Sequence, residues 1–349
     1  MHLKNKRIIL SKINQIGDVI FALPLASAIK KLEPSAHIIF LGTQYTRELI
    51  EHYPDVDEFA DWGAIYQDRD EITAAKNLQK LQADVIVHVM ANKPAHIVCK
   101  VAKRAKIPIR IGTSHRWYTW LTCNRLVNIG RSKGKLHETQ YDMMFMSALG
   151  GRKYYSLGEI IALRRFTPLP QTSSALKLLD PHRFNLILHP KTRGEHIEWQ
   201  PAQFAALMRL LPKDQFKIFI TGTQIEGDKI RAVMLDPFPE AVDLCGKITL
   251  SELMQLIQQA DGLVCASTGP VHLAAAFGVH TLGLYAPIRP FHAERWGPVG
   301  KNATSISIDK ACEACRDLSP CRCIWEIPVQ QVLAVLMSWY YLKNFQRIG

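Results

Sequence analysis

The sequence predicts an α/β protein built from two doubly wound parallel-sheet domains. Three observations carry that reading. The chain has 349 residues, which suits two domains of ordinary size. Short apolar runs alternate with helical patterns, the β-α-β rhythm of a parallel sheet covered by helices on both faces. The rhythm stops once, in a stretch rich in Pro, Ser and Thr, and then restarts.

In the first domain, residues 1–165, Arg7–Ile13 reads as a buried strand and Val19–Leu32 as the helix after it. His37–Gly42, Ala83–Met90 and Ile107–Gly112 read as further strands, with helical stretches at Ile72–Leu81 and Ala95–Lys103. Pro168, Pro170, Pro181 and the Thr172-Ser173-Ser174 cluster mark residues 166–184 as a linker. In the second domain, residues 185–325, strands are expected at Asn185–His189, Phe216–Thr221, Ala241–Leu244, Gly262–Ala266 and Thr281–Tyr285. Helices are expected between them at Pro201–Leu211, Glu226–Leu235, Leu250–Ala260 and Val271–Phe277. Residues 326–349 hold an aromatic-rich helix, Val329–Phe345, of a kind that in two-lobed folds can cross back onto the first lobe.

Composition narrows the function. Hydrophobic residues make up 48% and charged residues 21%, which excludes a largely disordered, collagen-like or coiled-coil chain. The 43 Lys and Arg against 31 Asp and Glu leave a formal charge of +12, a surplus that suits an acidic partner: nucleic acid, anionic membrane, phosphorylated lipid or sugar nucleotide. Lys4, Lys6 and Arg7 precede an apolar stretch that ends in Ala26-Ser27-Ala28, but Lys12, Asn14, Gln15 and Asp18 interrupt it, so no secretory leader is expected. No apolar run is long enough to span a bilayer, and the expected location is cytoplasmic, peripheral to a membrane. No Gly-rich dinucleotide fingerprint follows the first strand and no P-loop is present, which argues against a dehydrogenase or a P-loop NTPase.

Four segments carry chemistry. Lys12-Ile13-Asn14-Gln15-Ile16-Gly17-Asp18 ends the first strand, where open α/β sheets bind ligands. Gly17 lets the backbone approach a substrate, and two roles are open to Asp18: helix cap or general base. Ser267-Thr268-Gly269-Pro270 opens a helix after a strand, with backbone N–H groups and hydroxyls suited to a diphosphate. His272 in its first turn is either a phosphate partner or a structural histidine. After strand Asn185–His189, Lys191, Thr192 and Arg193 can neutralise phosphates, or form a solvated basic loop. Thr223 lies in another ligand-facing turn, and Glu226 either binds ribose hydroxyls or stabilises a helix start. The fourth segment, Lys93 to Lys135, has eleven basic residues and no acid; Lys93, Arg110 and Arg116 are among the eleven, and Trp117 and Trp120 sit between them. It suits an anionic lipid surface, single-stranded nucleic acid, or a solvated face without a partner.

Eight cysteines are present, four of them grouped as Cys312, Cys315, Cys321 and Cys323. That group either holds a structural zinc or consists of free thiols; the other four read as buried small hydrophobes.

In order and spacing, these segments resemble glycosyltransferase family 9, the ADP-heptose:lipopolysaccharide heptosyltransferases. The resemblance covers nearly the whole chain. It rests on the Asn14–Asp18 loop with Pro24, His137-Glu138, His189-Pro190 through Trp199, Leu244-Cys245-Gly246-Lys247, Ser267–Ala276, and Gly283–Pro287 running to Arg295-Trp296-Gly297-Pro298. It implies a GT-B fold, two Rossmann-like lobes with the active site in the cleft between them, and inverting sugar transfer without a catalytic metal. It implies Asp18 as general base. Donor contacts would come from Lys191, Thr192, Arg193, Thr223, Glu226, Ser267, Thr268, Gly269 and His272. Acceptor contacts would come from Asn14, Gly17, Lys93, Arg110, Arg116, Trp117 and Trp120. The implied donor is ADP-heptose and the implied acceptor a phosphorylated lipid A/Kdo-type molecule at the inner face of the inner membrane, with no nucleic acid partner. Two departures bear on the donor. Ser267 stands where the family has Asp, keeping a hydrogen bond but losing the charge, and Glu198 precedes Trp199 where many relatives have a basic residue. Two other readings remain: a sugar-nucleotide epimerase or transferase with another donor, and a non-enzymatic protein that binds nucleic acid or membrane through Lys93–Lys135.

Overall fold

The computed structural model describes residues 1–90, 93–131, 135–192, 197–288, 292–309 and 322–348. The chain divides into two compact units, Met1–Pro168 and Leu169–Gly349.

The first unit is a six-stranded, wholly parallel sheet in the order β3-β2-β1-β4-β5-β6. Its strands are β1 Arg7–Ser11, β2 His37–Gly42, β3 Glu58–Asp61, β4 Val85–His88, β5 Ile109–Thr113 and β6 Arg125–Val127. The central strands are continuous apolar runs because helices cover both faces, so neither side needs polar residues. Ile9, Ile39, Leu41 and Ile86 pack with Val98, Val101 and Ala102 of the Lys93–Arg104 helix on one such face. The two strands that sequence pattern does not reveal, β3 and β6, are the sheet edges: short, half-buried and without an apolar run.

The second unit repeats the plan. Its strands are β7 Phe184–His189, β8 Phe216–Ile220, β9 Val242–Asp243, β10 Gly262–Ala266, β11 His280–Tyr285 and β12 Ala303–Ser307, in the parallel order β12-β11-β10-β7-β8-β9. Numbered from its own first strand, this is the same winding as the first sheet. In both units the chain therefore reverses direction across a central pair, β1/β4 and β7/β10. Ligands of doubly wound sheets bind beyond the carboxyl ends of that pair.

The expected linker is not free chain. The side chain of Gln255, in the Leu250–Gln259 helix, accepts hydrogen bonds from the Thr172 and Ser173 amides at 3.0 and 2.9 Å, and Gln258 accepts one from the Leu169 amide at 2.8 Å. Residues 169–178 are thereby strapped to the second unit, which begins at Leu169. The Val329–Ile348 helix buries Val332, Leu336 and Trp339 in the second unit's own core, and Lys343 pairs with Asp261 at 2.5 Å.

Candidate functional site

In the first unit the Ile16–Leu32 helix starts directly beyond β1. Gln15 is its N-cap residue and makes no side-chain capping bond, so Asp18 lies inside the first turn. Its carboxylate turns instead to Lys12, whose Nζ lies 3.6 Å from Asp18 Oδ1 and 3.0 Å from Asp142 Oδ2. Arg131 closes the cluster, donating to Glu138 and Asp142 at 2.6 Å each. Lys12, Asp142 and Glu138 are buried, while the Asp18 side chain keeps 23% exposure, so it is the member of the cluster that faces outward. Two cations thus stand against three carboxylates. Burial raises the Asp18 pKa above its ordinary value, and Lys12 only partly offsets this. Burial also pushes Asp142 up to about 6. For Lys12, burial works against the charge, but Asp142 and Asp18 outweigh it and the ammonium is held. A carboxylate of raised basicity at the switch point of a doubly wound sheet is equipped to take a proton. Beside it, Asn14 Oδ1 is buried and has no hydrogen-bond partner among the described residues. Gly17 is partly exposed in the same turn.

In the second unit the Gly269–Phe277 helix begins just beyond β10. Its N-cap residue, Thr268, makes no side-chain capping bond, and Pro270 stands in the first turn. The Gly269 amide is thus not taken by a cap, while the Val271 amide donates to the Thr268 carbonyl at 3.2 Å, and Ser267, Thr268 and Gly269 are partly exposed. His272 is buried in that first turn. Gly300 comes close to the backbone of this helix: a Cβ on it would lie 2.1 Å from the Ala275 carbonyl oxygen.

Beyond β7, Lys191 is ion-paired with Glu198, and the Thr192 amide and hydroxyl donate to the same carboxylate at 2.8 and 3.1 Å. Two groups expected to meet phosphate are therefore held by an internal acid. Thr223 and Glu226 form a reciprocal capping box on the Gln224–Ile230 helix, with the Thr223 amide donating to Glu226 at 2.7 Å, so the helix-start role of Glu226 is the one displayed.

The basic segment divides. Arg110 is spent on structure, its guanidinium donating to the Thr122 carbonyl at 2.7 Å and to that of Ile107. Trp117, Trp120 and Leu121 stand 67%, 64% and 62% exposed on the Trp117–Thr122 helix, with Arg116 as its N-cap residue. Lys93 starts the Lys93–Arg104 helix; its side chain, and Arg193, Cys312, Cys315 and Cys321, lie outside the described residues. Cys323 is buried in the second core.

Sequence reasoning misses Lys12, Arg131 and Asp142 as functional residues. Lys12 and Asp142 are 130 positions apart, and no local pattern joins them. The one available signal is Glu138, quoted above with His137.

A family model described as glycosyltransferase family 9 (heptosyltransferase) matches residues 73–323. The lipopolysaccharide core heptosyltransferase OpsX of Haemophilus influenzae is 21% identical over 297 residues, 82% of this chain and 80% of that protein. Among solved structures, a family 9 glycosyl transferase of Veillonella parvula superposes with a TM-score of 0.79 at 17% identity, covering 98% of this chain and 99% of that one. The ADP-heptose lps heptosyltransferase II of E. coli gives a TM-score of 0.75 at 17% identity, covering 97% and 99%. The expected GT-B fold is the fold these likenesses show.

Proposed function

The chain belongs to glycosyltransferase family 9, the heptosyltransferase family, and on that footing we propose that it is an inverting transferase moving heptose from ADP-heptose to a lipopolysaccharide inner-core acceptor, with Asp18 as general base. The observation that carries this reading is the Asp18 carboxylate: outward-facing, raised in pKa and held beside Lys12 beyond the end of β1.

In the proposed step an acceptor hydroxyl oxygen bonds to the anomeric carbon as the bond from that carbon to the diphosphate oxygen breaks. Asp18 takes the hydroxyl proton, and ADP leaves with the electron pair of the broken bond. Lys12 and the cluster behind it hold the carboxylate in place. The departing diphosphate gains negative charge, which the uncapped amides at Thr268–Gly269 are suited to stabilise. A nucleotide thermal-shift panel tests the donor: ADP and ADP-heptose raise the melting temperature, and UDP, GDP and CMP do not. A preference for another nucleotide would overturn the donor assignment. Conversion of ADP-heptose without acceptor would favour an epimerase instead.

Glu198 is expected to restrain donor binding, because it already neutralises Lys191 and would face the diphosphate as a like charge. Glu198→Gln should tighten ADP binding about five- to tenfold, on the order of 1 kcal/mol, as read by calorimetric titration. Weaker binding would mean that Glu198 serves to aim Lys191.

The exposed Trp117, Trp120 and Leu121 beside Arg116 support contact with an anionic membrane surface on the cytoplasmic side. No described helix is long and apolar enough to cross a membrane. The double variant Trp117→Ala/Trp120→Ala should lose roughly tenfold in partitioning to vesicles containing anionic lipid, measured by sedimentation. Unchanged partitioning would assign the pair another role.

A further inference from the structure

A second cluster lies close to the proposed base but takes no part in the chemistry above. His88 ends β4, in register with Ser11 at the end of β1. Cys99 comes from the Lys93–Arg104 helix, and Cys123 follows the Trp117–Thr122 helix. One ring nitrogen of His88 and the two sulfurs all lie within 4.8 Å of one another.

His88 is the unusual member. It is 1% exposed, and neither ring nitrogen has a hydrogen-bond partner among the described residues. A buried imidazole ordinarily donates at least one hydrogen bond, so two orphaned nitrogens ask for a missing partner. The neighbourhood is largely apolar: Met90, Ala95, Cys99 and Tyr118 form a cluster with Ile13 and Cys123 against it, and the polar groups near His88 are the Ser11 hydroxyl, in register with it and equally without a partner among the described residues, and the more distant Arg110. Space for the sulfur is also built in. A Cβ on Gly112 of β5 would sit 2.8 Å from Cys123 Sγ.

We propose that His88, Cys99 and Cys123 form a buried site for one soft metal ion of the Zn²⁺ type. Imidazole and thiolate are the donor set that such ions select. Zinc–sulfur and zinc–nitrogen bonds of about 2.3 and 2.0 Å set donor atoms roughly 3.5–4 Å apart, so the present spacing needs little adjustment. Binding releases two thiol protons to solvent. One Zn²⁺, two thiolates and a neutral imidazole then sum to zero charge, which an apolar pocket tolerates. The role is structural: the ion would tie β4 to the Lys93–Arg104 helix and to the residue that ends the Trp117–Thr122 helix, and so fix the helix that presents Trp117 and Trp120. The site is separate from the proposed base and does not depend on the identity of the donor sugar.

The test uses the full chain, purified under reducing conditions, stripped with chelator and titrated with Co²⁺, which Zn²⁺ then displaces. Whatever Cys312, Cys315, Cys321 and Cys323 bind is common to all variants, so the readout is a difference. Wild type should bind one more equivalent than Cys123→Ala and Cys99→Ala, with extra thiolate-to-cobalt charge-transfer absorbance. His88→Leu should lose the same equivalent. Cys123 is only partly buried, so Cys123→Ala decides the matter if His88→Leu fails to fold. Metal loading should also slow backbone hydrogen exchange over residues 117–123 in wild type and not in Cys123→Ala. Equal stoichiometry and equal spectra in wild type and Cys123→Ala would overturn the proposal, as would a Cys99–Cys123 disulfide that survives purification under reducing conditions.

Discussion

Asp18→Asn lowers the rate of sugar transfer by roughly two to four orders of magnitude, the usual contribution of a positioned base, while ADP binding stays within about twofold, since the substitution touches no donor group. The amide keeps the size and the polar contact to Lys12 but cannot accept the acceptor hydroxyl's proton. Acidity should act in the same direction. Burial raises the Asp18 pKa above its ordinary value, so the base form is lost as pH falls through that raised value. The wild-type rate should therefore decline on acidification at a higher pH than an exposed aspartate would give, and the small residual rate of Asp18→Asn should lack that limb. A variant that retained full turnover would remove Asp18 from the chemistry.

Arg131→Met has the largest expected effect on stability. Arg131 joins Glu138 and Asp142, and the Asp142 side chain is wholly buried. Removing one partner of a buried ion cluster leaves uncompensated charge and costs about 3–5 kcal/mol, readable by denaturant titration. The sign of the pH dependence follows from Asp142. Its folded pKa is already raised, to about 6 against an ordinary 3.8, so protonation favours the folded state as pH falls through that interval. Without Arg131 the folded pKa rises further. The deficit relative to wild type should be greatest at neutral pH and shrink toward pH 4. A cost under about 1 kcal/mol, independent of pH, would mean that water or Lys12 alone satisfies the two acids.

The parts of this molecule legible in the sequence are those whose cause is local. The central strands announce themselves as apolar runs because both faces are covered. The Asn14–Asp18 and Ser267–Pro270 turns stand out as small, hydroxyl-bearing or acidic residues immediately beyond such runs. What escapes notice depends on distant partners. Asp142 meets Lys12 across 130 positions, and nothing near either residue announces the other. The edge strands β3 and β12 are short and half-polar because only part of their surface is buried. Lys191 and Arg110 illustrate a different difficulty: a cation on a basic stretch looks available to an anion until the structure shows Glu198 beside one and backbone carbonyls beside the other. The proposed metal site joins Cys99 and Cys123, which taken singly read as buried small hydrophobes, to a histidine at the end of a strand that sequence pattern does not single out.

The most direct test is a transfer reaction containing the purified chain, ADP-heptose and a Kdo-bearing lipid acceptor, followed by mass spectrometry and by ADP release. The proposed function predicts an acceptor heavier by one heptose, one ADP released per heptose transferred, an inverted anomeric centre, and loss of all three in Asp18→Asn. ADP-heptose consumed without acceptor modification, a retained anomeric configuration, or equal transfer by Asp18→Asn would contradict it.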